Sequence, residues 1–117
     1  MGRLSTHVLD TSTGSPAQGM KLELERREGG AWVVLKTLQT DHDGRTGGPL
    51  LEGDALQAGT YRITFHVADY FRGLGQALPQ PPFLDTVPLE FGIADSQGHY
   101  HVPLLCSPWS YSTYRGS

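Results

Sequence analysis

Thr60-Tyr61-Arg62-Ile63-Thr64-Phe65-His66-Val67 alternates polar and apolar side chains without a break. Neighbouring side chains of an extended chain point to opposite faces, so Tyr61, Ile63, Phe65 and Val67 share one face and Thr60, Arg62, Thr64 and His66 the other. The stretch therefore predicts a strand with one buried and one wet side. Val87, Leu89, Phe91 and Ile93 repeat the pattern downstream. Upstream, Lys21-Leu22-Glu23-Leu24-Glu25 sets leucines against charges, Glu28-Gly29-Gly30 reads as a turn, and Trp32 to Leu38 completes a hairpin. Leu4 to Leu9, a short segment near Pro49 to Leu51 and two carboxy-terminal runs bring the total to about seven or eight short strands, the number of a β-sandwich. Asp69 to Ala77 reads as one short helix capped by Asp69, although its two interior glycines cost roughly 1 kcal/mol each relative to alanine. Leu78-Pro79-Gln80-Pro81-Pro82-Phe83 cannot continue that helix, because proline lacks the amide hydrogen and clashes with the preceding turn, and it is expected as a loop.

Composition agrees with this all-β reading. The 117 residues include 15 Gly and 8 Pro, with 38% hydrophobic and 18% charged residues, which suits many turns around one core. No repeat, low-complexity tract or linker divides the chain, so residues 1–117 are expected to form a single domain. A formal net charge of -3 and the lack of any run of Lys or Arg argue against nucleic acid as a partner. No apolar stretch approaches the roughly 20 residues that span a bilayer, and Met1 to His7 has no apolar run of the signal-peptide kind. The expected location is cytoplasmic, with no membrane partner. Cys106 is the single cysteine, which excludes an internal disulfide and reads as a small buried hydrophobe.

The carboxy-terminal strand places His99, His101, Pro103 and Leu105 on one face and Tyr100, Val102 and Leu104 on the other. One face enters the core. The other combines imidazoles with apolar groups, a mixture that a partner subunit would cover. The first strand repeats this arrangement, with Thr6 and Val8 inward and His7 and Leu9 outward. His99 and His101 have a spacing that can bind zinc, but two imidazoles are not a site and no cysteine pair completes one, so no metal is expected. His42 and His66 read as ordinary turn and strand residues.

Three stretches carry a likeness to a known family. Leu4-Ser5-Thr6-His7-Val8-Leu9-Asp10 with Gly14-Ser15-Pro16-Ala17 resembles the opening motif of the 5-hydroxyisourate hydrolases, enzymes that share transthyretin's fold. Asp43-Gly44-Arg45 with Pro49-Leu50-Leu51 resembles the middle motif. His99-Tyr100-His101-Val102-Pro103-Leu104-Leu105, then Ser107-Pro108 and Tyr111-Ser112-Thr113-Tyr114-Arg115-Gly116-Ser117, resembles the carboxy-terminal signature. Cys106 and Trp109 depart from it, standing where Leu and Tyr are usual, and Leu78 to Phe83 replaces a Phe-rich segment.

The resemblance implies a transthyretin-like sandwich of two antiparallel sheets, about eight strands and one short helix, assembled as a homotetramer, a dimer of dimers around a central channel. It also implies hydrolytic opening of the six-membered ring of 5-hydroxyisourate, the product of urate oxidation, without metal or organic cofactor. The active-site positions carried over are His7, Arg45, His101 and the end segment Tyr114 to Ser117. Hydrolysis of an amide-like ring bond needs a positioned water, a base, and positive charge where the oxyanion develops. An imidazole accepts a proton near neutral pH, so His101 or His7 can serve as the base. Arg45 stays charged and its planar donors suit an anionic, oxygen-rich ring. The terminal carboxylate of Ser117 is suited to orient a histidine or hold Arg115, while Tyr114, Arg115 and His99 are assigned to substrate binding. Two rival readings are a transthyretin-like carrier of small ligands without catalysis and an accessory domain that recognises another protein.

Overall fold

Arg3–Asp10 (β1) extends because its alternate residues reach a dry layer: Leu4, Thr6, Val8 and Asp10 are buried, while Ser5, His7 and Leu9 remain partly exposed. The same alternation builds Lys21–Glu28 (β3), Gly59–His66 (β6), Thr86–Ile93 (β7) and His99–Cys106 (β8). The computed structural model describes residues 1–116, and Ser117, assigned above to the site, lies outside them. Ser15–Pro16 (β2), Ala31–Gln39 (β4), Leu51–Glu52 (β5) and Tyr111–Thr113 (β9) complete nine strands among the described residues, two of them only two residues long.

One sheet runs β2-β1-β8-β9 with β5 also paired to β1; the other runs β4-β3-β6-β7. Leu4, Val8, Tyr100, Val102 and Leu104 of the first sheet meet Leu22, Leu24, Tyr61, Ile63, Phe65, Val87, Leu89 and Ile93 of the second in one apolar layer. Each large aliphatic or aromatic side chain so buried stabilises the fold by about 1.5–3 kcal/mol. The expectation of an all-β, two-sheet sandwich with one short helix is borne out. No helix among the described residues is long and apolar enough to cross a membrane.

Two details differ from the sequence reading. The ladder between β1 and β8 is parallel, from Arg3 opposite His99 to Asp10 opposite Cys106, whereas every other strand pair is antiparallel. Alternation assigns faces but not strand direction, so the expectation of wholly antiparallel sheets missed this ladder. The helix spans Val67–Gly73 (α1), starting two residues before Asp69. Val67, Ala68, Tyr70 and Phe71 give it a buried face. Asp69 does not cap it, because its carboxylate turns toward Arg72 and His66, 3.7 and 3.9 Å away. His66 itself is held by Glu23, 2.7 Å from its Nε2, which ties the end of β6 to β3.

Asp10 is fully buried at the end of β1 and accepts hydrogen bonds from the Tyr70 hydroxyl at 2.9 Å and from the Ser12 backbone N–H and hydroxyl. Burial, followed by this bond to Asp10, raises the Tyr70 phenol well above its ordinary range, so it stays a donor. This contact fastens α1 to the first sheet. Tyr70→Phe leaves a buried carboxylate short of one donor and is expected to cost ~1–3 kcal/mol, lowering Tm by roughly 5–10 °C in calorimetry. Cys106, opposite Asp10 in the ladder, is buried as expected, and burial, then the Asp10 charge, push its thiol up to about 12.

Candidate active site

The parallel ladder sets Arg3 beside His99, Ser5 beside His101 and His7 beside Pro103 on the outer face of the first sheet. The Ser5 hydroxyl lies 2.8 Å from Nδ1 of His101. The rings of His7 and His101 are 6.4 Å apart between centroids and tilted by 32°. Two residues separated by most of the chain are thus held side by side by backbone pairing on rigid strands.

Arg45 arrives from the turn between β4 and β5. The Asp41 carboxylate accepts the backbone N–H groups of Asp43 at 2.9 Å and Arg45 at 3.0 Å, and these bonds hold it below the usual carboxylate range. Gly44, at φ +74, lets the turn lie against β1, where its carbonyl accepts the Val8 N–H at 2.9 Å. A side chain at position 44 would run into the Val8 carbonyl oxygen. Tight contact with β1 carries the next residue, Arg45, to the edge of the histidine face.

There Arg3, Ser5, Arg45, His99, Tyr100 and His101 line a cavity of about 380 Å³. Neither Asp nor Glu is among these residues. Partial burial, followed by the positive charge of Arg45 and then the neighbouring His7, lowers the His101 pKa below its ordinary value, so the ring is neutral at neutral pH. A neutral imidazole has one free nitrogen lone pair. When Nδ1–H donates to Ser5, Nε2 is free to accept a proton; when Ser5 donates to Nδ1, Nε2 carries one to give.

The end of the chain folds back onto this face. Gly116 donates its N–H to the His101 carbonyl at 2.8 Å, and a side chain there would press on the His101 ring, since an added Cβ would sit 2.9 Å from Cδ2. Arg115 lies 4.3 Å over the Tyr100 ring and reaches the His99 carbonyl at 3.3 Å, and Nε2 of His99 is 3.1 Å from the Met1 carbonyl. Among the predicted residues, the structure thus brings together His7, Arg45, His99 and His101. Tyr114 stands apart from the Arg45–His101 cavity within one chain, in a hollow with His99, Arg115 and Gly116.

Two residues of this face were not singled out from the sequence: Arg3 and Ser5. Arg3 and Ser5 share the alternation that puts His7 outward, so their face was readable. Their partners depend on the β1–β8 register, which no periodicity encodes.

The HIUase/Transthyretin family profile matches residues 4–116. The chain belongs to this family. Within the HIUase/Transthyretin family it is similar to a protein named 5-hydroxyisourate hydrolase 2 from Rhizobium meliloti, 59% identical over 116 residues that make up 99% of this chain and 97% of that one. Its structure is similar to the crystal structure of (S)-allantoin synthase, with a TM-score of 0.94 and 47% identity; the match covers 99% of this chain but only 44% of that longer one. It also resembles sea bream transthyretin in complex with thyroxine, with a TM-score of 0.86 and 30% identity over 97% of this chain and 94% of that one. The two departures from the family's terminal signature fall outside the cavity lining, Cys106 in the core and Trp109 largely exposed.

Proposed function

We propose that the chain hydrolyses 5-hydroxyisourate to 2-oxo-4-hydroxy-4-carboxy-5-ureidoimidazoline, a step of urate breakdown. The observation that carries this reading is one cavity in which Arg45 faces His101, a neutral imidazole braced by Ser5. Its high identity, over nearly the whole length, to a protein named for this reaction supports the substrate.

His101, with Nδ1–H directed at Ser5, takes a proton from water as the water oxygen attacks the ring carbonyl. Charge growing on the carbonyl oxygen is met by Arg45. The carbon–nitrogen bond then breaks, the departing nitrogen takes the proton back from the imidazole, and the ring opens into a carboxy and a ureido group. His7 stands beside His101 on the same face, its ring 6.4 Å away, where it can help position substrate or water. His99, Tyr114 and Arg115 hold substrate, and Ser117 completes the catalytic set; these roles rest on the terminal motif. No step requires a metal or organic cofactor. Carriage without chemistry would favour an apolar cavity, whereas this one is lined by two arginines and two histidines.

The assembly is a homotetramer in this reading. Leu9 and Leu105 remain partly exposed beside the histidines on the outer face, and partner subunits would cover them. An unpaired, buried Cys106 needs no oxidising compartment, which fits the cytoplasm. The test is the ultraviolet absorbance of freshly made 5-hydroxyisourate, followed against its spontaneous decay. Faster decay with the protein supports the reading, and an unchanged rate overturns it. Light scattering is expected to give about four chains per particle; a monomer removes the tetramer.

A further inference from the structure

Most arginines of this chain have a visible partner. Arg26 pairs with Glu28, Arg62 clamps Glu25 and Arg72 reaches Asp69, while Arg27 lies over Trp32 and Arg115 over Tyr100. Arg3 and Arg45 differ: among the described residues neither side chain makes an ion pair or a hydrogen bond, yet both line the same cavity. Glu52 stands opposite Arg3 in the β1–β5 register but forms no ion pair with it. Among the described residues the wall of this space holds two like charges and no carboxylate, a setting that favours an anion between them.

The two guanidiniums are not equivalent. After burial, Arg45 is the next cause of the lowered His101 pKa. Arg3 pairs with His99 in the β1–β8 register, two residues along β1 from Ser5, the partner of His101, and so marks the end of the cavity away from that ring. A second hollow of about 240 Å³ shares Arg3, Ser5 and Arg45 with the first and is otherwise walled by Thr6, Gly48 and Pro49, with no histidine among the described residues that line it. It offers room for a group that swings away from the base.

Ring opening creates such a group. The water oxygen joins the carbonyl carbon, the carbon–nitrogen bond breaks, the nitrogen leaves protonated as the end of a ureido arm, and the acid formed loses its proton. A neutral amide has become a carboxylate. We propose that Arg3 is a second anion-binding residue of this site, holding the carboxylate formed on ring opening while Arg45 faces the reacting carbonyl. This inference rests on the hydrolase reading above and assigns a specificity for carboxylate-bearing ligands to a residue outside the catalytic motifs.

Calorimetric titration with stable probes tests it. Allantoate carries ureido groups and a carboxylate; allantoin carries a ureido group and no carboxylate. The native protein is expected to bind allantoate more tightly than allantoin. Arg3→Gln is expected to weaken allantoate about tenfold and leave allantoin unchanged, since a lost charge-assisted pair affects only the anion. Arg3→Lys keeps the charge and is expected to retain most of the preference. No preference in the native protein, an unchanged allantoate affinity in Arg3→Gln, or an equal loss for both probes would overturn the proposal. Titration reads Arg3 without turnover, and the absorbance assay on the same native preparation reads the hydrolase assignment, so each can fail alone.

Discussion

Alanine at His101 is expected to slow the catalysed decay of 5-hydroxyisourate by about 10²–10⁴-fold, the range contributed by a positioned general base. Its fold is expected to survive, because His101 lies on the outer face of β8 while Tyr100, Val102 and Leu104 hold that strand in the core. Ser5, the partner of its Nδ1, is only partly buried and can turn to water once the ring is gone. The native rate is also expected to depend on pH in a defined direction. Burial, Arg45 and His7 favour the neutral ring, so its pKa lies below the ordinary 6.5. A base must be unprotonated to act; activity is therefore retained at pH 6.5 and lost as pH falls through the lowered value. His101→Ala removes this acid limb along with the rate. A variant that keeps near-native rates, after spontaneous decay is subtracted, would strike His101 from the mechanism.

The same histidine shows how far the sequence could be read. That His101 points away from the core follows from alternation along His99–Cys106, and the buried Tyr100, Val102 and Leu104 agree. Its neighbours did not follow. Ser5 and His101 are 96 positions apart, and only the parallel ladder of β1 with β8 brings them within hydrogen-bonding distance. A period of two is blind to strand direction, so the pairing that builds the site was the least legible part of the fold. The helix was misplaced for a different reason. Asp69 has a good capping chemistry, but its carboxylate is drawn to Arg72 and His66, and the apolar run Val67-Ala68 with Tyr70 and Phe71 pulls the first turn earlier. Tertiary burial outweighed local propensity there. Arg45 was placed by motif alone; the physical cause, an Asp41-braced turn with a glycine pressed on the Val8 carbonyl, needed coordinates to be seen.

Arg45→Gln separates the site's electrostatics from its folding. Its guanidinium makes no ion pair or hydrogen bond among the described residues, and the turn is held by backbone N–H groups on Asp41, which glutamine leaves in place. Thermal stability is therefore expected to change little. Turnover is expected to fall by about 10²–10³-fold, the cost of losing one donor to a developing oxyanion. The surviving activity carries a second signature. Arg45 ranks after burial, and before His7, among the causes that lower the His101 pKa, so removing its charge raises that pKa toward 6.5. The acid limb of the rate profile is then expected to move to higher pH while the slope stays that of one proton. Arg45→Lys keeps a charge in the turn but not the planar pair of donors; it is expected to hold the limb near its native position while recovering only part of the rate. A rate loss with no movement of the limb would mean that Arg45 and His101 do not share the electrostatic space in which attack occurs, and would leave the guanidinium a role in binding alone.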